Sequence, residues 1–97
     1  MRMMLRAVLD TQISNKARQN GEMQKVIESL MDQLKPEAAY FTPHSGRRSC
    51  VFVFDMQESS QLPPLVEGLL QTLGAEVEIQ PAMNREELLK GLAAAHA

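Results

Sequence analysis

The run Ser49-Cys50-Val51-Phe52-Val53-Phe54-Asp55-Met56 predicts a β-strand whose two faces are both apolar. Because side chains alternate between the faces of a strand, the even-numbered residues of this run share one face and the odd-numbered residues share the other. The first face carries Cys50 and two phenylalanines, and the second carries two valines and Asp55. Both faces need a cover. Helices of the chain supply one cover, and a second copy supplies the other, so we expect a homodimer.

Length and composition predict one soluble domain spanning residues 1–97. Hydrophobic residues make up 44% of the chain and charged residues 23%, and no apolar run approaches the roughly twenty residues of a membrane span. Arg2 and Arg6 interrupt what would be the apolar core of a signal peptide, so we expect a cytoplasmic protein. A net charge of −2 without a basic cluster argues against nucleic-acid binding.

The cysteine and histidine content argues against metal and disulfide scaffolds. Cys50 is the one cysteine, so the chain forms no internal disulfide. The two histidines, His44 and His96, do not combine with Cys50 at the spacing of a zinc site. No glycine-rich phosphate loop is present in the sequence. We therefore expect neither a metal nor a cofactor.

Hydrophobic periodicity and turn residues predict four strands and three helices. The strands are expected over residues 3–9, 38–42, 49–56 and 75–80, with a loop at 43–48 between the second and third. The first helix is expected to be capped by Ser14, with an irregular start at Asn20-Gly21, and to end at Lys35-Pro36. The second is expected to be capped by Ser59 or Ser60 and to end at Gly74, and the third begins at a capping box formed by Asn84 and Glu87.

This order of elements predicts an α+β, ferredoxin-like βαββαβ fold with an extra C-terminal helix. The first and third strands are expected at the centre of an antiparallel sheet and the second and fourth at its edges, where Pro81 is tolerated. Both main helices then lie on one face of the sheet. A second subunit packed on the other face would complete a dimeric α+β barrel.

The sequence also resembles a small family of bacterial proteins of unknown function. The resemblance extends over nearly the whole chain and is carried by residues 36–41, 46–48, 53–56, 75–79 and 81–83. It implies the same fold and a dimer, and it implies no catalytic residue. The wider barrel group includes monooxygenases, isomerases and haem-degrading enzymes, so the fold alone does not choose a function.

Arg6 is the first candidate ligand-binding residue, because it is a charge inside an apolar strand expected at the centre of the sheet. A guanidinium there would hold the carboxylate of a ligand inside the barrel. Its structural alternative is an ion pair with Glu76 or Glu78 on the neighbouring strand. The two glutamates share a face and are most simply a charged sheet edge.

Asp55, Tyr40 and His44 are the other candidate binding residues. Asp55 ends the apolar strand, and partial burial there would raise its pKa and make it a base. Tyr40 and His44 share a strand face if Pro43 does not shift the alternation. Their structural alternatives are a strand-end aspartate bonded to the next turn, a packed tyrosine and a solvated loop histidine.

These residues leave three classes of function open. The first is a dimeric binding or accessory protein with a small-molecule site inside the barrel or at the dimer seam. The alternative is a cofactor-independent enzyme of the barrel group, related in fold to monooxygenases and isomerases. The third class is a subunit of a larger assembly. We favour the first, because no residue set forms a catalytic constellation.

Overall fold

The computed structural model describes residues 1–96, which form four strands and four α-helices in the order β-α-α-β-β-α-β-α. The strands are β1 (Arg2–Val8), β2 (Ala38–His44), β3 (Arg47–Asp55) and β4 (Glu76–Pro81). The helices are α1 (Thr11–Gln19), α2 (Glu22–Leu34), α3 (Leu62–Leu73) and α4 (Arg85–Ala95). A single 3₁₀ turn, Ser59–Gln61, precedes α3.

The strands form one antiparallel sheet in the order β2-β3-β1-β4. The prediction that the first and third strands are central is therefore confirmed. Leu5 of β1 lies opposite Phe52 of β3 and Ile79 of β4. This register places the most apolar side chains of three strands on one face of the sheet. The fold is α+β and compatible with the ferredoxin-like arrangement.

Helices α1, α2 and α3 cover that apolar face and enclose the hydrophobic core. Phe52 and Leu5 of the sheet and Leu69 and Leu73 of α3 are fully buried. Burying each such side chain contributes about 1.5–3 kcal/mol to folding. The core therefore lies between the helical layer and the sheet, and the other face of the sheet is left without a cover within residues 1–96.

The first helical region differs from the prediction in its start and in its continuity. Asp10, not Ser14, is the N-cap, and its Oδ2 accepts a hydrogen bond of 2.8 Å from the backbone of Ile13. Ser14 lies buried inside α1, where its hydroxyl donates to the carbonyl of Thr11. Gly21 adopts a φ of 80°, a left-handed conformation that ends α1 and starts α2. The predicted single helix is thus two helices.

The loop predicted over residues 43–48 is shorter in the structure. Only Ser45 and Gly46 form the turn, with φ of 52° and 75°, while β2 and β3 continue to either side of it. Two consecutive residues with positive φ form the type I′ turn, whose twist matches that of a hairpin. Pro43 consequently lies inside the edge strand β2, and Pro81 is the last residue of the other edge strand, β4.

Helix α4 projects from the rest of the molecule. Its capping box at Asn84 and Glu87 is confirmed, with hydrogen bonds of 2.8 and 3.0 Å between them. All residues from 83 to 96 are exposed. The radius of gyration is 15.3 Å, whereas a compact chain of this length has about 12.5 Å. None of the helices over residues 1–96 combines the length and apolar character needed to span a bilayer.

Candidate functional site on the open sheet face

The uncovered face of the sheet, which we call the open face, has an apolar centre with charged and polar side chains around it. Val8 is buried, and Met4, Val51 and Val53 are half-buried, so four apolar side chains occupy the two central strands. Strand alternation also brings all four predicted binding residues to this face, namely Arg6, Tyr40, His44 and Asp55. An apolar patch with a polar rim is typical of a binding surface.

Arg6 and His44 form the closest contact among these candidates. The guanidinium Nη1 of Arg6 lies 3.2 Å from Nδ1 of His44, although the two residues belong to β1 and β2. Arg6 reaches past β3 to make this contact. A guanidinium only donates hydrogen bonds, so the contact requires that Nδ1 of His44 carries its lone pair and not a proton.

The cross-strand ion pair expected for Arg6 does not form. Glu78 is the register partner of Arg6 in β4, yet within residues 1–96 no carboxylate is ion-paired with this guanidinium. Glu76 pairs instead with Arg47, at 3.7 Å. Register alone therefore did not determine the contact. Arg6 is therefore a half-buried cation available to an anionic ligand.

Two recesses flank Arg6 on the open face. One, of about 230 Å³, is lined by Met4, Arg6, Glu78 and Gln80. The other, of about 250 Å³, lies between Arg6 and the β2–β3 turn and includes His44 and Arg47. Both are grooves of a size that admits a small organic molecule. No cluster of three or more potential metal ligands occurs in the part of the chain that the structure describes.

Tyr40 stands beside this site in the same row of the sheet. It lies opposite Val51, which lies opposite Arg6, and its side chain is 67% exposed. Strands are about 4.8 Å apart, so Tyr40 and Arg6 are separated by about 10 Å across the sheet. Strand β2 keeps its alternation through Pro43, so Tyr40 and His44 do share a face.

Asp55 does not join the cluster, and within the single chain it is exposed. It lies at the far end of β3, four residues or about 13 Å along the strand from Val51. Its carboxylate is exposed and bonds the ammonium group of Met1 at 2.7 Å. That hydrogen bond and charge lower the pKa of Asp55 instead of raising it, with Gln57 adding a further hydrogen bond. The physical reason is a partner distant in sequence, which strand pattern does not reveal.

The sequence interpretation missed Arg2, which connects three parts of the open face. Its Nε donates to Glu37 at 3.1 Å, and its Nη1 contacts Glu87 of α4. These hydrogen bonds raise the pKa of Arg2, and the hydrogen bonds from Asn84 and Arg2 lower the pKa of Glu87. The period-two pattern of β1 would have placed Arg2 and Arg6 on one face.

Cys50 lies on the opposite face, as predicted, and is only 1% exposed. Desolvation raises the pKa of its thiol to about 11. It forms part of the floor of an apolar groove of about 320 Å³ beneath β2, lined also by Leu9, Met23, Ile27 and Phe41. The thiol is therefore not a nucleophile at neutral pH.

Comparisons with known proteins support the fold and no function. A solved structure, the de novo designed protein Ferredog-Diesel, is similar with a TM-score of 0.51 over 84% of this chain and 85% of that chain. The sequence identity is 7%, so the likeness shows the fold alone. No family model and no curated protein matches the chain. The resemblance to a bacterial family therefore stays a prediction.

Proposed function

We propose that this chain is a small homodimeric binding protein in which two open faces pack together and hold a small anionic molecule at Arg6 and His44. The observation that carries the proposal is a half-buried guanidinium, within an apolar sheet face, that contacts a histidine and no carboxylate of the described chain. Burying a cation without a partner is costly, and an anion supplied by a ligand would offset that cost.

The surroundings of Arg6 define the class of ligand. The valines of β3 and Met4 offer an apolar surface, and Glu78, which lines both recesses beside Arg6, disfavours a ligand with more than one negative charge. The recesses on either side of Arg6 have volumes of about 230 and 250 Å³. A small apolar acid with one carboxylate or sulfonate matches these features.

The dimeric α+β barrel is the assembly that this proposal requires. Two packed open faces would cover Val51 and Val53 and would enclose the recesses from both sides. We place this dimer in the bacterial cytoplasm, following the resemblance and the signal-peptide argument. The enzymatic alternative has less support, because Asp55, one of its three candidate acid/base residues beside Tyr40 and His44, is remote from Arg6 and has a lowered pKa.

The ligand proposal is tested with anilinonaphthalene sulfonate, a fluorescent probe that combines one anionic group with an apolar ring system. We expect Arg6→Gln to weaken its binding at least tenfold. Lys16→Gln, which removes one positive charge on α1 away from the open face and from every recess described above, is the matched control and should leave binding unchanged. Loss of binding in the control but not in Arg6→Gln would place the probe elsewhere and overturn the proposal.

The dimer is tested separately by sedimentation equilibrium of the full chain and of Val53→Asp. A carboxylate at the centre of the packed faces should weaken sheet-to-sheet association at least tenfold. Val53 is half-buried and lies outside the hydrophobic core, and urea denaturation checks that the variant still folds. Equal association of the variant and the parent chain would show that the open face is not the interface.

A further inference from the structure

We propose that the site at Arg6 takes up a proton together with its anionic ligand, and that His44 is the residue that receives this proton. The inference rests on the proposed function, because it concerns the same site, and it adds the way in which pH regulates that site. It follows from the contact between the two side chains and from the charges that line the recess beside them.

The contact between Arg6 and His44 is compatible only with a neutral imidazole. Nδ1 of His44 lies 3.2 Å from Nη1 of Arg6 and accepts its hydrogen bond. A proton on Nδ1 would turn this acceptor into a donor, and the two side chains would then be cations that repel each other. The same nitrogen can therefore serve Arg6 or a bound anion, according to whether it carries a proton.

The charged side chains around His44 balance one another. The recess of about 250 Å³ beside it is lined by two arginines and two glutamates, namely Arg6, Arg47, Glu76 and Glu78. Arg47 is the register partner of His44 in β3 and pairs with Glu76 of β4 at 3.7 Å. No helix of residues 1–96 contributes a side chain to this recess. The four charges sum to zero, so the protonation state of His44 decides the net charge.

A bound anion changes this balance. With a singly charged anion in the recess, one negative charge is left over while His44 is neutral, and none is left over once His44 is protonated. An opposite charge within a few ångströms favours the charged form of a titratable group. Nδ1–H of His44 and Nη1–H of Arg6 can then both donate to the oxygens of one carboxylate or sulfonate. The proton comes from solvent and bonds the lone pair of Nδ1, and no other bond changes.

The coupling between anion and proton is reciprocal. If the anion favours protonation, protonation favours the anion by the same factor, and such couplings are typically about 5–150-fold. Histidine is the side chain whose charge ordinarily changes between about pH 5 and 8. We therefore expect the affinity for the anion to rise at least fivefold between pH 8 and pH 6. For a carboxylate ligand, the species taken up is in net terms the undissociated acid.

The test is the dissociation constant of anilinonaphthalene sulfonate, from fluorescence titrations of the full chain between pH 8 and pH 6. The sulfonate stays ionised throughout, so the pH dependence belongs to the protein. In His44→Gln, whose amide does not titrate, the dissociation constant should change by less than about twofold. His96→Gln removes the other histidine, at the end of α4, and is the matched control that should keep the pH dependence of the parent chain.

A second variant separates the imidazole from the carboxylate that lies nearest to Arg6 in register. Glu78→Gln removes a negative charge from the recess, so it should tighten binding at every pH and leave the pH dependence in place. A pH dependence that disappears in Glu78→Gln and persists in His44→Gln would assign the proton to the carboxylate and overturn the proposal.

Proton uptake is also measured directly by titration calorimetry at pH 7 in tris and in bis-tris, which supply no anion that would compete for the site. The heats of binding should differ between the buffers for the parent chain and agree for His44→Gln. Equal heats for the parent chain would overturn the coupling.

The failure of the coupling is distinguishable from the failure of the site. If parent and His44→Gln share one pH dependence while Arg6→Gln weakens binding at pH 8, the coupling is overturned and the anion site stands. If Arg6→Gln binds the probe as the parent does at pH 8, the site itself is overturned, and the coupling with it.

Discussion

Cys50 is the residue whose ionisation is most strongly coupled to folding. Its pKa is raised by burial from 9.0 to about 11 in the folded chain, and the unfolded chain retains the ordinary value. The folded state therefore favours the neutral thiol. This contribution to stability is complete below about pH 9 and is lost as the pH rises towards 11.

We expect the free energy of unfolding to fall by up to about 3 kcal/mol between pH 8 and pH 11 because of this one thiol, at about 1.4 kcal/mol per pKa unit. Urea denaturation of the parent chain and of Cys50→Ala measures it, since lysine and tyrosine ionisation affects both proteins equally. An identical pH dependence in the two proteins would contradict the assigned burial of the thiol.

At the scale of the single element, α3 depends on the residue that ends it. Gly74 has a φ of 57°, and a Cβ added there would lie 2.7 Å from Cδ1 of Ile13 and 3.2 Å from Cβ of Asp10. Ile13 is exposed and its methyl group moves aside, so the left-handed backbone accounts for most of the cost.

Gly74→Ala should lower the free energy of unfolding by about 1–2 kcal/mol, as measured by thermal or urea denaturation. Gly91→Ala is its control, because Gly91 lies inside α4 with no atom near its missing side chain. There, alanine should strengthen the helix locally by up to about 1 kcal/mol without lowering global stability. A Gly74→Ala protein as stable as the parent would contradict the cap.

Some features of the strands and helices are determined by residues close to them in sequence. Alternation in β3 correctly predicted the burial of Cys50, Phe52 and Phe54, and the Asn84 capping box gave the start of α4. These features depend on neighbours within a few residues. The cap of α1 was misassigned because the helix begins at Thr11, closer to the strand than expected, so that Asp10 caps it and Ser14 bonds backwards within it.

The candidate site was predictable only in part, because its contacts join residues that are distant in sequence. Strand alternation placed Arg6, Tyr40 and His44 on one face, but the contact between Arg6 and His44 joins residues 38 positions apart. Asp55 bonds Met1, which is 54 positions away. Such contacts depend on the register of the strands and on side-chain rotamers, and the sequence pattern determines neither.

At the scale of the whole molecule, the proposed dimer couples folding to concentration. If copies associate through the open face, unfolding also separates them, and the melting temperature becomes concentration-dependent. We expect Tm to rise by roughly 3–5 °C for each tenfold increase in protein concentration. Differential scanning calorimetry over two decades of concentration measures this. A constant Tm would contradict the dimer.

The prolines of the edge strands have a consequence for how copies of this chain avoid fibrillar aggregation. Pro43 in β2 and Pro81 in β4 lack the N–H that an incoming strand would bond, so each outer edge is a poor template for cross-β growth. Copies that pack through their open faces form a closed pair, and edges that resist strand addition keep further copies from joining that pair strand by strand.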